Sequence, residues 1–243
     1  MNTYYITGTS RGLGKALVLE LLNHQRNHVF GIGRSSTISH DHYRHLILDL
    51  TNTEAVRDFR FILPRGSTRA VLINNAGVIA PVAPVGKIDN QTLVAGFQVN
   101  LISPAILMNN FTRDTKNKHT ERLIINISSG AARHTIDSWA AYCAGKAGLD
   151  MFSEVLHSEQ RIHHPRRPVL VFSIAPGVVD TGMQSEIRKV PKKNFASKDR
   201  FVRMKRDGDL ASPKDTAKKI LKIVEQPKRY PKVCLDVRDL QNF

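Results

Sequence analysis

Short apolar runs alternate with longer amphipathic ones along the whole chain. "TYYIT" (Thr3–Thr7) reads as a first strand. "GKALVLELLNHQ" follows as a helix with apolar positions Leu17, Val18, Leu21 and Leu22 on one stripe. "HVFGIG" is a second strand and "HLILDL" (His45–Leu50) a third, followed by a helix over 52–62. "AVLINNAG" is a fourth strand, and a helix is expected from Asn90 to Phe111. "RLIINIS" is a fifth strand, "WAAYCAGKAGLDMFSEVLHSE" a long helix and "PVLVFSIAPG" a sixth strand. "SPKDTAKKILKIVE" opens on a capping Ser212 with Pro213 in its first turn, and "KVCLDV" supplies a last strand.

Strands one, four, five and six are apolar at successive positions, so both faces are buried. That pattern belongs to parallel strands covered by helices on either side. The fold class expected is α/β: one doubly wound domain over residues 1–243, with a parallel sheet of about seven strands. Ligands in such sheets lie beyond the carboxyl ends of the strands.

After strand one stands "TGTSRGLG", with Gly8, Ser10, Arg11, Gly12, Leu13 and Gly14. A glycine-rich turn into a helix lets backbone N–H groups approach a pyrophosphate; a plain turn is the competing reading. After strand two, Arg34 lies twenty residues beyond Gly14, and no Asp or Glu occurs from Val29 to Ser39. An acid here binds the ribose 2′-hydroxyl of NAD, whereas Arg34 with Arg11 suits a 2′-phosphate. The cofactor expected is NADP(H). Asp49 and Leu50 end strand three, where Asp49 either lines the adenine or caps the next helix. "NNAG" ends strand four and is read as a turn lining the cofactor through Asn75, Ala76 and Gly77.

Tyr142 and Lys146 are one helical turn apart on the same face, and Ser129 lies thirteen residues before Tyr142 at the end of strand five. A phenol ordinarily titrates near 10, and a neighbouring ammonium is expected to lower it. A serine hydroxyl holds a substrate oxygen. Together the three suit carbonyl reduction.

Composition changes the picture only modestly. The chain has 243 residues and is 41% hydrophobic, enough for one sizeable core. No apolar run of about 18 residues is visible, so no membrane span is expected. The N-terminus enters a strand directly, without the pattern of a leader. Cys143 and Cys234 lack metal-like spacing, which suits free thiols in a reducing cytoplasm. The net charge is +15, concentrated in Arg188–Arg206, where nine Lys/Arg meet one Asp. The run has few aromatics for base stacking and reads as a solvated face rather than a nucleic-acid site. "HDHYRH" (His40–His45) reads as a surface loop, and no metal is expected.

The joint set of Thr7-Gly8-x3-Gly12-x-Gly14, Asn74–Gly77, Asn100, Ser129, Tyr142-x3-Lys146 and Pro176-Gly177 followed by Thr181 resembles the short-chain dehydrogenases/reductases, in order and spacing over essentially the whole chain. The resemblance implies a Rossmann fold. It implies that Tyr142 gives a proton to a carbonyl oxygen as hydride arrives from the nicotinamide. Lys146 would bond the nicotinamide ribose and Ser129 would orient the carbonyl. Asn100 would shape its helix so that a water connects Lys146 to solvent. The backbone around Val179 and the Thr181 hydroxyl would hold the carboxamide, and Pro176 and Gly177 would also line the cofactor. Residues 182–211 would form a lid, with Met183, Phe201 and Trp139 as candidates to face substrate, ordinary packing being the alternative. "WAAYCAGKAGLDMF" and "APGVVDTGMQSEIR" resemble the subgroup that reduces benzil-type α-diketones and the subgroup that reduces the side chain of sepiapterin. In the second, Asp236 is the nearest counterpart of a pterin anchor. The partner implied is a small carbonyl substrate, and the assembly a homodimer through the helices carrying Asn100 and Tyr142, with a tetramer as alternative. A protein that senses NADP without turnover is the rival of another class.

Overall fold

The structure is a computed structural model that describes residues 1–79, 81–116 and 119–242. Seven strands form one parallel sheet: β1 (Asn2–Thr7), β2 (Asn27–Gly33), β3 (Tyr43–Ile47), β4 (Arg69–Asn74), β5 (Glu121–Ile127), β6 (Leu170–Ala175) and β7 (Cys234–Asp236). Their order is β3-β2-β1-β4-β5-β6-β7. The crossover from β3 to β4 reverses the direction of growth, so a crevice opens beyond the ends of β1 and β4. The helices are α1 (Gly12–Leu22), α2 (Thr53–Asp58), α3 (Asn90–Phe97), α4 (Ser103–Asp114), α5 (Ala140–His163), α6 (Gly182–Lys189), α7 (Lys198–Arg206) and α8 (Pro213–Glu225).

Residue alternation along each strand feeds two cores. Tyr4, Ile6, Val71, Ile73, Leu123 and Ile125 face α1 and α8 through Leu17, Val18, Ala217 and Ile220. Tyr5, Leu72, Ile124 and Val171 face the other layer, where Leu107, Met108, Phe111 and Leu149 wait on α4 and α5. Both strand faces are therefore apolar.

Several boundaries differ from expectation. The third strand lies earlier, pairing Val29 with Tyr43 through Gly33 with Ile47. The chain then turns out of the sheet because Asp49 Oδ1 accepts from the backbone and hydroxyl of Thr51, both at 2.9 Å. Helix α2 stops at Asp58 instead of running to Ile62. Asn110 of α4, itself buried, donates to the carbonyls of Val56, Arg57 and Phe59, which closes the helix from outside. The helix expected over 90–111 is one rod from 90 to 114 interrupted by a π turn, Gln98–Ile102. That rod, Asn90–Asp114, is long and apolar enough by composition to cross a bilayer, a property that its scattered polar residues disguise in the sequence. Its Leu107, Met108 and Phe111 are fully buried in the core, so the face that carries them has a protein partner, while Val94 and Ile102 stay exposed.

Candidate active site

The glycine turn is bound to the strand beside it. Gly8 has a φ of 72°, in the left-handed region, and a Cβ there would meet the Ala76 backbone at 3.0 Å. A Cβ on Gly14 would sit 2.1 Å from the Gly8 carbonyl. Thr7 Oγ1 accepts from the backbone N–H groups of Asn75 and Ala76, and Asn75 Nδ2 returns bonds to the carbonyls of Thr7 and Gly8. The turn and "NNAG" thus form one rigid ledge. Helix α1 begins at Gly12 with no side chain capping its N-terminus. Its first N–H groups and positive end of the dipole suit an anion. Ser10 and Leu13 flank this start; Ser10 is partly exposed and Leu13 is buried under it.

Arg34 is exposed just past β2 and acts with its charge on Asp49, whose carboxyl is lowered first by the Thr51 N–H bond and further by Arg34. Asp49 does not cap α2; Asn52 does, accepting from Ala55 N–H at 3.0 Å. Leu50 is buried and its carbonyl accepts from Ser103 at 2.6 Å, which ties this turn to α4. Arg11 lies against the start of α6. It is 3.7 Å from Glu186, an exposed pair of little energetic weight.

Tyr43 is a site residue that the sequence did not single out. Its buried hydroxyl bonds Thr9 in the glycine turn, Ser36 in the Arg34 loop and His45 Nδ1, at 3.0, 3.0 and 3.3 Å. Its neighbours His42 and Arg44 gave no local signal; its partners Thr9 and Ser36 lie elsewhere in the chain. His45 belongs to this network, while His28 and His42 stack with centroids 4.7 Å apart. Among the described residues no group of three His, Cys, Asp or Glu is arranged to hold a metal ion.

Tyr142 and Lys146 lie on α5 and are both buried. Lys146 Nζ sits 5.8 Å from the Tyr142 ring centre and donates to the Ile127 carbonyl at 2.7 Å. Ser129 follows β5; its hydroxyl accepts from Ala131 N–H and lies near enough to the Tyr142 phenol to act on its titration. The three side chains therefore meet at the carboxyl edge of β5. Ser128 is buried and holds the Ile174 carbonyl through its N–H, a structural position.

Electrostatics corrects one expectation. Burial pushes the Tyr142 phenol above its ordinary value, and the Ser129 bond opposes this only in part. Lys146 is not among the groups that shift it. A phenolate is costly in a water-poor site, so burial outweighs the ammonium. Lys146 itself is pushed down to about 8 by burial, with the Asp150 carboxylate acting upward. Asp150 accepts from Ser173 at 2.6 Å and lies 3.6 Å from Arg133.

Asn100 sits in the π turn and clamps the chain after "NNAG". Its Nδ2 donates to the Val78 carbonyl at 2.8 Å and its Oδ1 accepts from Val78 N–H at 3.0 Å. A Cβ on Gly77 would lie 3.2 Å from Asn100 Oδ1 and 3.6 Å from Lys146 Nζ, so these three groups face one another. Asn74 and Asn126 pair across β4 and β5 at 2.8 Å, and Asn126 reaches Ser153 of α5 at 2.8 Å. This buried polar chain locks α5 against the sheet. Its traces in the sequence are Asn74 of "NNAG" and the lone Asn within "LIINIS".

Past β6, Pro176 and Gly177 lead to Val179, which bridges to Ala211. Asp180 N–H bonds the Ala211 carbonyl, and Ala211 N–H bonds the Val178 carbonyl. The excursion over 182–211 is thus pinned at both ends. Thr181 opens α6, its methyl 3.3 Å from where a Gly12 Cβ would be, so the two ends of the crevice touch. The excursion holds α6 and α7 and folds over the site. Trp139 packs edge-on against Tyr142 at 5.6 Å, stacks on Phe195 at 5.7 Å and meets Phe201 at 5.3 Å. Met183 borders the same cluster. Phe195 carried no signal in the sequence, although it is fully buried. The basic run lies on the outer faces of these helices, with Lys192 on Asp199 and Lys205 on Asp180. Asp236 is buried rather than on the surface, and Arg238 takes its carboxylate with bonds of 2.6 and 2.9 Å.

A family model described as short chain dehydrogenase matches residues 2–192. The chain belongs to the short-chain dehydrogenase family. Over 238 residues it is 35% identical to a benzil reductase ((S)-benzoin forming) of Bacillus cereus, covering 93% of this chain and 94% of that one. It is 30% identical to the sepiapterin reductase of Xenopus laevis, over 90% of this chain and 89% of the relative. The solved structure of the short chain dehydrogenase/reductase YIR035C from Saccharomyces cerevisiae superposes with a TM-score of 0.84 at 26% identity, over 100% and 99% of the two chains. The protein is thus an oxidoreductase fold of the kind that binds a nicotinamide cofactor. The donor set fits that group: an uncapped helix N-terminus, a ledge where Cβ atoms would intrude, and a cation past β2.

Proposed function

We propose that the protein is an NADPH-dependent carbonyl reductase acting on a small or aromatic α-diketone. The observation that carries this reading is the convergence of buried Tyr142 and Lys146 with Ser129 at the carboxyl edge of β5. The ledge of Gly8, Gly12, Gly14, Asn75, Ala76 and Gly77 would hold the dinucleotide with the α1 N-terminus. Arg34, with no acid beside it on β2, favours a 2′-phosphate. Arg11, Asp49, Leu50, Pro176, Gly177, Val179 and Thr181 would border the rest of it. When bound, the nicotinamide supplies the hydride.

The chain's own residues supply position and proton. Ser129 donates to the carbonyl oxygen and aligns it. Tyr142, kept neutral by burial, is a phenol with its proton in place at neutral pH, and it hands that proton to the oxygen as negative charge develops there. Lys146, charged below about 8 and held by the Ile127 carbonyl, would bond the nicotinamide ribose. Asn100, holding Val78 and the π turn, keeps a path from Lys146 toward solvent. Trp139, Phe195 and Phe201 pack beside Tyr142 and exclude water. Trp139 Nε1 is buried without a hydrogen-bond partner among the described residues. A second carbonyl on the substrate would accept from it, which favours a vicinal dicarbonyl over a simple ketone. The pterin alternative has less support, because Arg238 occupies the Asp236 carboxylate.

The assay follows reduced-cofactor absorbance with benzil and sepiapterin, each with NADPH and NADH. Benzil with NADPH should give the highest kcat/KM. Tyr142→Phe should cut kcat by roughly 10²–10⁴-fold and leave NADPH affinity nearly unchanged. Full turnover in that variant would refute the mechanism. Tight NADPH binding with no turnover on a carbonyl panel would favour the sensing module. The two unpaired thiols, Cys143 and Cys234, suit a reducing cytoplasm.

A further inference from the structure

At the opposite edge of the sheet, beyond the amino ends of β5 and β6, lies a concavity of about 760 Å³. It is lined by Lys116 after α4, Arg122 on β5, His163 at the end of α5, and His164, Arg166 and Arg167 before β6. Helix C-termini attract basic side chains, which accounts for Lys116 and His163. It does not account for Arg122. That side chain belongs to a strand, is only 7% exposed, and donates to the Arg167 carbonyl at 3.1 Å. Among the described residues no carboxylate pairs with it or with Lys116, Arg166 or Arg167. The nearest acids along the chain are engaged elsewhere: Asp114 with Arg113 and the Phe61 N–H, Glu121 with Arg69. Burial of the guanidinium without an anion is costly, and its proton affinity is lowered by that burial.

We infer that this concavity is an anion site, separate from the catalytic edge, for a small ligand carrying a chain of phosphate groups. A phosphate at the floor takes the fork of Arg122, and further phosphates meet Lys116, Arg166 and Arg167 at the rim. The volume is that of a small-molecule site. A flat bilayer or a duplex would meet the rim cations and leave Arg122 unpaired, which is why a small anion fits better than a large one.

The test titrates inorganic tripolyphosphate into the cofactor-saturated enzyme by calorimetry at fixed ionic strength, so that the glycine ledge is already filled. One saturable site with a Kd of about 100 µM or tighter is expected. Arg122→Gln should weaken it by about 10-fold or more. The exposed pair Arg166→Ser and Arg167→Ser should do the same, and it decides the matter if Arg122→Gln does not fold. Lys192→Ser with Lys193→Ser removes equal charge from the lid and should change Kd less than about 2-fold. ATP in parallel shows whether a nucleoside adds to the phosphate chain: equal affinity assigns the site to the phosphates alone, tighter binding to a nucleotide. The inference fails if no saturable binding appears below about 1 mM. It fails equally if the lid pair weakens binding as much as the Arg166/Arg167 pair, or if a duplex or anionic vesicles bind more tightly and are indifferent to Arg122→Gln.

Discussion

Lys146 and Tyr142 answer burial in opposite directions, because one is charged when protonated and the other when deprotonated. Burial brings the Lys146 ammonium down to about 8 and lifts the phenol. Reductase activity should therefore fall as pH rises through about 8, where the ammonium is lost. Asp150→Asn removes the carboxylate that acts upward on Lys146, and should shift that alkaline limb to lower pH in a kcat–pH profile. The same shift has a stability sign. The unfolded lysine keeps its proton up to about 10.5, so the unfolded state binds more protons between about 8 and 10.5, and stability rises with pH across that window. Below about 8 the full cost of burying the ammonium is present, on the order of 3 kcal/mol. Lys146→Met removes that cost and the bond to the Ile127 carbonyl. It should abolish turnover and stabilise the fold at pH 7 by about 1–2 kcal/mol, a gain that shrinks toward pH 10.5. Urea denaturation at the two pH values checks it; a variant less stable at pH 7 would show that the Ile127 bond and the packing of the lysine stem outweigh the cost of burying its charge.

At the scale of elements, side chains from elsewhere in the fold set boundaries that propensity leaves open. Asn110 ends α2 by donating to the carbonyls of Val56 and Arg57 in its last turn and of Phe59 just past it, and Asp114 accepts the Phe61 N–H beyond. Asn110→Leu leaves those carbonyls only the Phe59 N–H and the Arg60 guanidinium, and should cost about 1 kcal/mol. The measure is the urea midpoint, with hydrogen exchange at residues 55–61 rising more than in β4. Uniform exchange across the chain would argue against a local cap. The π turn at Gln98–Ile102 is of the same kind. Its extra residue lets Asn100 face Val78 and the buried edge of α5, which an unbroken helix would rotate away. The periodicity over 90–111 announced a helix and said nothing of this turn.

At the scale of the whole molecule, α4 and α5 present an apolar face away from the sheet. Ile102, Met151 and Val155 are 40%, 59% and 49% exposed and sit with Leu101, Ile106 and Phe152 around a shallow hollow. A face of this kind, adjoining the helices that carry Asn100 and Tyr142, supports the homodimer read from the resemblance. Sedimentation velocity should give twice the 27.2 kDa chain mass. Met151→Glu with Val155→Glu should shift it to one chain at micromolar protein. A wild-type monomer at that concentration would remove the dimer, and a species of four chains would call for a second interface.

Much was legible because it rests on local chemistry. Apolar runs on both strand faces, the Gly8–Gly14 spacing, the absence of an acid near Arg34, and the helical pairing of Tyr142 with Lys146 follow from neighbours within a few residues. The alternation and these motifs together announced a doubly wound parallel sheet, and the strand ends pointed to the residues that meet at its edge. What remained hidden depends on partners distant in sequence. The Tyr43 hydroxyl joins the glycine turn to the Arg34 loop across strands. Arg11 meets Glu186 of α6, and Phe195 closes over Trp139 from another part of the chain. Burial itself, which raises the Tyr142 phenol where a neighbouring cation alone would have lowered it, is a property of the packed molecule. Sequence sets which groups a residue can pair with; the enclosing fold sets which of them it meets, and how little water surrounds the meeting.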